Sequence, residues 1–130
     1  MRRPSPRSIA IVLVVLLATL VAACGGSGSA VTKPGPAEAA AMVGSRVVID
    51  VRTPAEFAAG HIAGARNIDV ESGDFATQVA ALDKGAAYLL YCRSGRRSAL
   101  AADQMAAAGF KDIVDGGGMD ALVAAGAPVE

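Results

Sequence analysis

The chain has 130 residues, 53% of them hydrophobic and 18% charged, and its 12 basic and 12 acidic residues give a formal net charge of zero. That length allows one domain, and the absence of any basic stretch interleaved with aromatics argues against a nucleic-acid partner. A single histidine and two cysteines leave too few ligands for a zinc site, so neither metal nor cofactor is expected.

Met1-Arg-Arg-Pro-Ser-Pro-Arg7 is a basic opening, and the apolar run Ile9 to Ala23 follows it. The run falls short of the roughly 20 residues that a membrane-spanning helix needs and fits the core of a signal peptide. It ends in Leu20-Val-Ala-Ala-Cys24, small residues before a cysteine, which resembles the lipobox of bacterial lipoproteins. That resemblance implies cleavage before Cys24, a diacylglyceryl group on its thiol, and an extracytoplasmic chain lipid-anchored to the cell membrane. An ordinary secretory signal cut after Ala23, with Cys24 left free, is the alternative. Cleavage at that bond, in either case, leaves 9 of the 12 basic residues against 12 acidic ones. With Cys24 acylated, Cys92 is the sole thiol, so no intramolecular disulfide and no resolving partner is available.

The expected division is a signal peptide over 1–23, a lipid anchor and flexible linker over 24–36, and a folded domain over 37–130. The linker, Gly25 to Pro36, is rich in Gly, Ser and Pro and has a reach of roughly 20 Å. Pro36 opens a short helix over Ala37 to Val43, stopped by Gly44. Arg46 to Val51 is β-branched and reads as an inner strand of a parallel sheet. Thr53-Pro-Ala-Glu56 has the form of a helix start, with Thr53 as N-cap, proline at N1 and glutamate at N3. That helix stops at Gly60, and Arg66 to Asp69 forms a second short strand. Asp74 to Leu82 is an amphipathic helix with Phe75, Val79 and Leu82 on one face.

Tyr88 to Tyr91 reads as a buried strand. At its end lies Cys92, then Arg93-Ser-Gly-Arg-Arg97, then an alanine-rich helix running from Ser98 to its stop at Gly109. A strand–loop–helix unit aims backbone N–H groups and the positive end of a helix at whatever the loop holds. A free cysteine has a pKa of about 8.5, and helix N-termini with cationic neighbours lower it to roughly 3.5–7.5. Arg93, Arg96 and Arg97 are expected to supply that positive charge and to attract an anionic substrate. After Gly109, Phe110 packs back, Asp112 to Asp115 is the last strand, and Gly116-Gly-Gly118 leads into a helix over Met119 to Ala125. Pro128 ends the fold. Strands alternating with helices predict an α/β three-layer fold, a mainly parallel sheet flanked by helices on both faces. The cysteine loop then sits at the carboxyl edge of a strand, where such sheets bind ligands.

Cys92-Arg-Ser-Gly-Arg-Arg-Ser98 resembles the active-site loop of single-domain rhodanese-like sulfurtransferases. The resemblance extends to Val48-Ile-Asp-Val-Arg52, to Glu56-Phe-Ala-Ala-Gly-His-Ile-Ala-Gly-Ala65, and to Ala108-Gly-Phe110 followed by Asp115-Gly-Gly-Gly118. It implies a Cys92 persulfide formed from thiosulfate, a persulfide or a polysulfide and passed to a thiol or cyanide. Arg93, Ser94, Gly95, Arg96, Arg97 and Ser98 would bind the substrate and the persulfide. The partners are then a small-molecule sulfur donor and acceptor, with the membrane reached through the lipid anchor and a monomeric chain expected. The same resemblance makes His61 structural and away from the cysteine. Asp50 and Arg52 either form a buried ion pair or reach the active loop. The remaining carboxylates are taken as solvated surface. The family commonly has a tryptophan after the Gly-Gly of the last segment. This chain has Met119 there and no tryptophan, and methionine is expected to fill the apolar space.

Two rival readings remain. A cysteine phosphatase or arsenate reductase carries Cys-x5-Arg, whereas here the sixth position after Cys92 is Ser98 and the arginine falls one earlier. A lipid-anchored binding or sensor module using the fold without catalysis is the other.

Overall fold

The computed structural model describes residues 28–130; the signal-peptide and lipobox readings and Cys24 lie outside them. Five parallel strands form one sheet in the order β1-β5-β4-β2-β3. In chain order the elements are β1 (Val31–Thr32), α1 (Pro36–Ala41), β2 (Val47–Asp50), α2 (Pro54–Ala58), β3 (Arg66–Asn67) and α3 (Phe75–Ala80). They continue with β4 (Ala87–Cys92), α4 (Arg96–Ala107), β5 (Asp112–Gly118) and α5 (Met119–Ala124). A 3-10 turn, Val43–Ser45, links α1 to β2. The expected three-layer α/β fold is the observed one.

Alternation along the central strands builds two cores. Tyr88, Leu90 and Cys92 of β4 join Ile49 and Ile113 with Phe75 and Val79 of α3 and Ala101, Ala102 and Met105 of α4. Leu89 and Tyr91 face the other way with Val48 and Val114, toward Ala39 of α1, Ile62 and Leu122 of α5. Cys92 thus shares a face with the helix that follows it. Met119 packs partly buried against the second core.

Local signals account for the helix ends. Thr53 and Glu56 form a capping box, Glu56 N donating to Thr53 Oγ1 at 3.3 Å and Thr53 N donating to Glu56 Oε2 at 3.0 Å. At the end of α4, Gly109 takes φ +99°. Its N–H bonds to Ala106 O and that of Phe110 to Met105 O, the paired bonds of a Schellman stop. Phe110 then packs edge-on against Tyr88, ring centroids 5.4 Å apart.

Three expectations need correction. Val31–Thr32, read as linker, is an edge strand paired with Ile113 and Val114 of β5; two residues are too few to show a period, but the open edge of β5 gives their backbone partners. β5 does not stop at Asp115 but runs on through Gly118. Nor does Pro128 end the fold: Pro128 O accepts from Ala63 N, and residues 61 and 130 exchange backbone hydrogen bonds around an antiparallel bridge between Ile62 and Val129.

Candidate active site

Cys92 is the last residue of β4 and is fully buried. The chain turns at once, because Gly95 adopts φ +100° as the residue before α4, a conformation that costs glycine little. This turn brings the Gly95 N–H to 2.9 Å from Cys92 Sγ. Helix α4 starts at Arg96, two residues earlier than the sequence indicates, and no side chain caps it. The unpaired N–H groups of its first turn therefore remain available to the loop.

The turn is shaped from beneath by the end of β5. Between Leu90 and Cys92 the β4–β5 register shifts, so that Leu90 pairs with Asp115 and Cys92 with Gly118. One extra residue on β5 makes this a bulge, a common device beside active sites. A Cβ on Gly118 would lie 2.6 Å from Arg93 O, and one on Gly116 would lie 3.0 Å from Leu90 O. Gly118 is thus required by close contact with the cysteine loop and Gly116 by close contact with β4, whereas Gly117 has open space and a φ of +78°.

The Cys92 pKa is lowered, and chiefly by hydrogen bonds rather than by the three arginines. Burial pushes the Cys92 pKa up, and hydrogen bonding more than reverses it: the backbone N–H and hydroxyl of Ser98 and the backbone N–H groups of Gly95 and Ser94 favour the thiolate, and the net shift is downward. Arg93 and Arg96 are exposed. Arg97 is engaged elsewhere, donating Nη1 to Glu56 Oε2 at 2.7 Å and Nη2 to Glu56 Oε1 at 2.9 Å. Glu71 lies 3.8 Å from the same guanidinium. Arg97 therefore ties α4 to the capping box of α2, while its charge also favours the Cys92 thiolate. Sequence reasoning missed this second use of Glu56, whose carboxylate already had a local explanation.

The Arg97 hydrogen bonds hold the Glu56 carboxyl down at about 2, from an ordinary 4.5. A carboxylate with a lowered pKa contributes stability that is present above its ordinary value and lost as pH falls through the folded one. Glu56→Gln preserves the capping box while removing the charge. It is expected to flatten the pH dependence of the urea midpoint between about 4.5 and about 2; an unchanged acid limb would mean that the bidentate pair contributes nothing.

Ser98, expected to bind substrate, is buried beneath the loop with Oγ 3.6 Å from Cys92 Sγ, 3.0 Å from Gly95 O and 2.7 Å from Asp115 Oδ1. Asp115 corrects the reading of the remaining carboxylates as surface: it is 2% exposed, accepts from Gly117 N at 3.1 Å and faces Lys33 Nζ at 3.5 Å. Its place directly before three glycines is the only sequence signal that could have marked it.

Asp50 and Arg52 take the ion-pair alternative. Arg52 Nη2 lies 2.6 Å from Asp50 Oδ2 and donates to Gly60 O at 2.7 Å. Tyr91 Oη donates to Asp50 Oδ2 at 2.8 Å and accepts from Ile62 N at 2.9 Å. The pair belongs to the face of the sheet opposite Cys92 and ties β2 and β4 to the segment after α2. His61 stacks on Phe57 at 3.7 Å, with Nδ1 3.0 Å from Phe57 O. A cavity of about 470 Å³ opens over the outer side of the loop, lined by Glu71, Ser94, Arg96, Arg97 and Leu100. Cys92 itself lies buried beneath the loop.

Comparison with known proteins places this geometry. The family model for the rhodanese-like domain matches residues 35–125. The chain is 45% identical over 74 residues to the thiosulfate sulfurtransferase GlpE of Pseudomonas putida, covering 55% of this chain but 64% of that protein; it thus spans less than two thirds of that relative's length. Among solved structures, a rhodanese from E. coli with bound anions superposes with a TM-score of 0.56 at 27% identity, over 65% of this chain and 95% of the other. A rhodanese-like domain from Anabaena shares the fold with a TM-score of 0.65 at 23% identity, over 76% of each chain. Because the matched segment includes both the cysteine loop and the glycine strand beneath it, the chain belongs to the rhodanese-like domain family.

Proposed function

We propose that this chain is a sulfurtransferase in which Cys92 carries the transferred sulfur. The observation behind it is the Cys92 sulfur held under the turn by the Gly95 N–H at 2.9 Å, in a site whose hydrogen bonds favour the anion. The thiolate attacks the sulfane sulfur of thiosulfate, a persulfide or a polysulfide. With thiosulfate, a sulfur–sulfur bond forms to Cys92 while the donor's own sulfur–sulfur bond breaks, and sulfite leaves with the electron pair. The terminal sulfur of the persulfide carries the negative charge, and the loop N–H groups stabilise it. A thiolate or cyanide then attacks that sulfur, and Cys92 leaves as thiolate.

The relative from Pseudomonas putida, a thiosulfate sulfurtransferase, and the anions on the E. coli rhodanese favour an anionic donor. Exposed Arg93 and Arg96 suit its approach. Phosphoryl transfer requires an arginine free to clasp equatorial oxygens, and Arg97 is held by Glu56. Incubation with thiosulfate should add one sulfur atom to the intact mass, and cyanide should remove it, while aryl phosphates turn over negligibly. Robust phosphatase turnover with no persulfide would overturn this reading.

The lipid anchor is part of the same proposal and rests on Leu20-Val-Ala-Ala-Cys24. Detergent partitioning of the full chain should place it in the detergent phase, and Cys24→Ser should remove it from there. Recovery of the unaltered chain as a soluble, unacylated protein would refute anchoring.

A further inference from the structure

The hydroxyl of Ser98 has one proton and three acceptors around it. Asp115 Oδ1 is at 2.7 Å, Gly95 O at 3.0 Å, and Cys92 Sγ at 3.6 Å. A hydroxyl that close to a buried carboxylate donates to it, since charge-assisted hydrogen bonds are the stronger ones. Its oxygen lone pair then accepts from the Cys92 S–H. A thiolate reverses the demand, because the sulfur now needs the Ser98 proton and has none of its own to give. We propose that Asp115 is a positioning residue for the nucleophile, competing with the Cys92 sulfur for the single Ser98 proton and so favouring the resting thiol. This rests on the reading of Cys92 as the nucleophile.

The swing is possible because Asp115 keeps other partners. When Ser98 turns away, the carboxylate retains the Gly117 N–H at 3.1 Å and the Lys33 ammonium at 3.5 Å. Lys33 follows the edge strand β1, so the N-terminal segment supplies the counterion to this buried charge. The other charged groups around Cys92 are accounted for differently. Arg97 on α4 holds Glu56 and approaches Glu71 while its charge also favours the Cys92 thiolate, a contribution common to the parent and all the variants. Arg93 and Arg96 are exposed on the loop side, and the Asp50–Arg52 pair is engaged with Tyr91 on the opposite face of the sheet.

The test is the pH midpoint of Cys92 alkylation by iodoacetamide, which needs no sulfur donor. Asp115→Asn should lower the midpoint by about one unit, since a neutral amide competes less strongly than a carboxylate for the Ser98 proton and so frees it for the thiolate. Lys33→Met should raise it by a few tenths, and Ser98→Ala should raise it by about one unit by deleting the donor. These opposite signs separate positioning from a loosened fold, which would move all three alike. In the Ser98→Ala background, Asp115→Asn should shift the midpoint by less than half as much as it does alone. An equal shift in both backgrounds would overturn the proposal, because Asp115 would then act by its field alone. So would an unchanged or raised midpoint in Asp115→Asn. Should that variant fail to fold, Lys33→Met decides, and an unchanged or lowered midpoint rejects the idea. Normal persulfide formation with no such midpoint shifts defeats this inference alone; the expected shifts without any persulfide defeat the sulfur-transfer reading alone.

Discussion

Cys92→Ser is expected to abolish persulfide formation and to reduce sulfur transfer to background, a loss of at least about a thousandfold for removal of a covalent nucleophile. The substitution exchanges one sulfur for an oxygen in a fully buried position. The Gly95 N–H and the Ser98 hydroxyl can still meet the new atom. The fold should therefore survive with its thermal midpoint close to that of the parent, which separates lost chemistry from lost structure. A serine hydroxyl is a far weaker nucleophile at neutral pH than a thiolate, and the backbone donors that acidify the thiol fall far short of ionising an alcohol. Intact-mass measurement after thiosulfate treatment should find no added sulfur. Sulfur retained on the variant would move the carrier away from Cys92 and undo the mechanism.

Asp50→Ala should give the largest loss of stability, about 3–5 kcal/mol for breaking one side of a buried ion pair. Asp50 is 0% and Arg52 7% exposed. The carboxylate accepts from Arg52 Nε and Nη2, from the Arg52 backbone N–H and from Tyr91 Oη. Its removal strands a guanidinium whose remaining side-chain hydrogen bond is to Gly60 O, and it deprives a buried phenol of its acceptor. Against a typical total of about 5–15 kcal/mol, that loss is severe. Replacing both members of the pair, Asp50→Leu with Arg52→Met, should cost less than Asp50→Ala alone, since an apolar pair leaves no unpaired charge. Urea midpoints of the two variants check the order; a double variant weaker than the single one would mean that the hydrogen bonds, rather than the unpaired charge, dominate.

Much of the site was legible because its signals are local. The strand that ends at Cys92, the capping box of Thr53 and Glu56, and the stop at Gly109 depend on residues within a turn of one another. Short-range sterics and hydrogen bonding decide them before any tertiary contact forms. The two-residue strand β1 and the extension of β5 through Gly118 were not legible in this way. Both are defined by a neighbouring strand, and a run of three glycines has no side-chain pattern to announce one.

The sequence by itself determined the α/β architecture, the position of Cys92 at the end of an inner strand, and the helix that begins just beyond it, since hydrophobic period and turn chemistry act along the chain. The tertiary structure decided which polar groups do what. Arg97 reaches Glu56, 41 residues away in sequence, so its guanidinium braces α4 against α2. Asp115 reaches Ser98, 17 residues away, so a carboxylate that looks like surface lies buried beneath the loop. Charge and residue type are printed in the sequence, but which partner a charge meets depends on strand order and register. Here the parallel pairing of β4 with β5, and the bulge within it, brings Asp115 and the glycines beneath the cysteine.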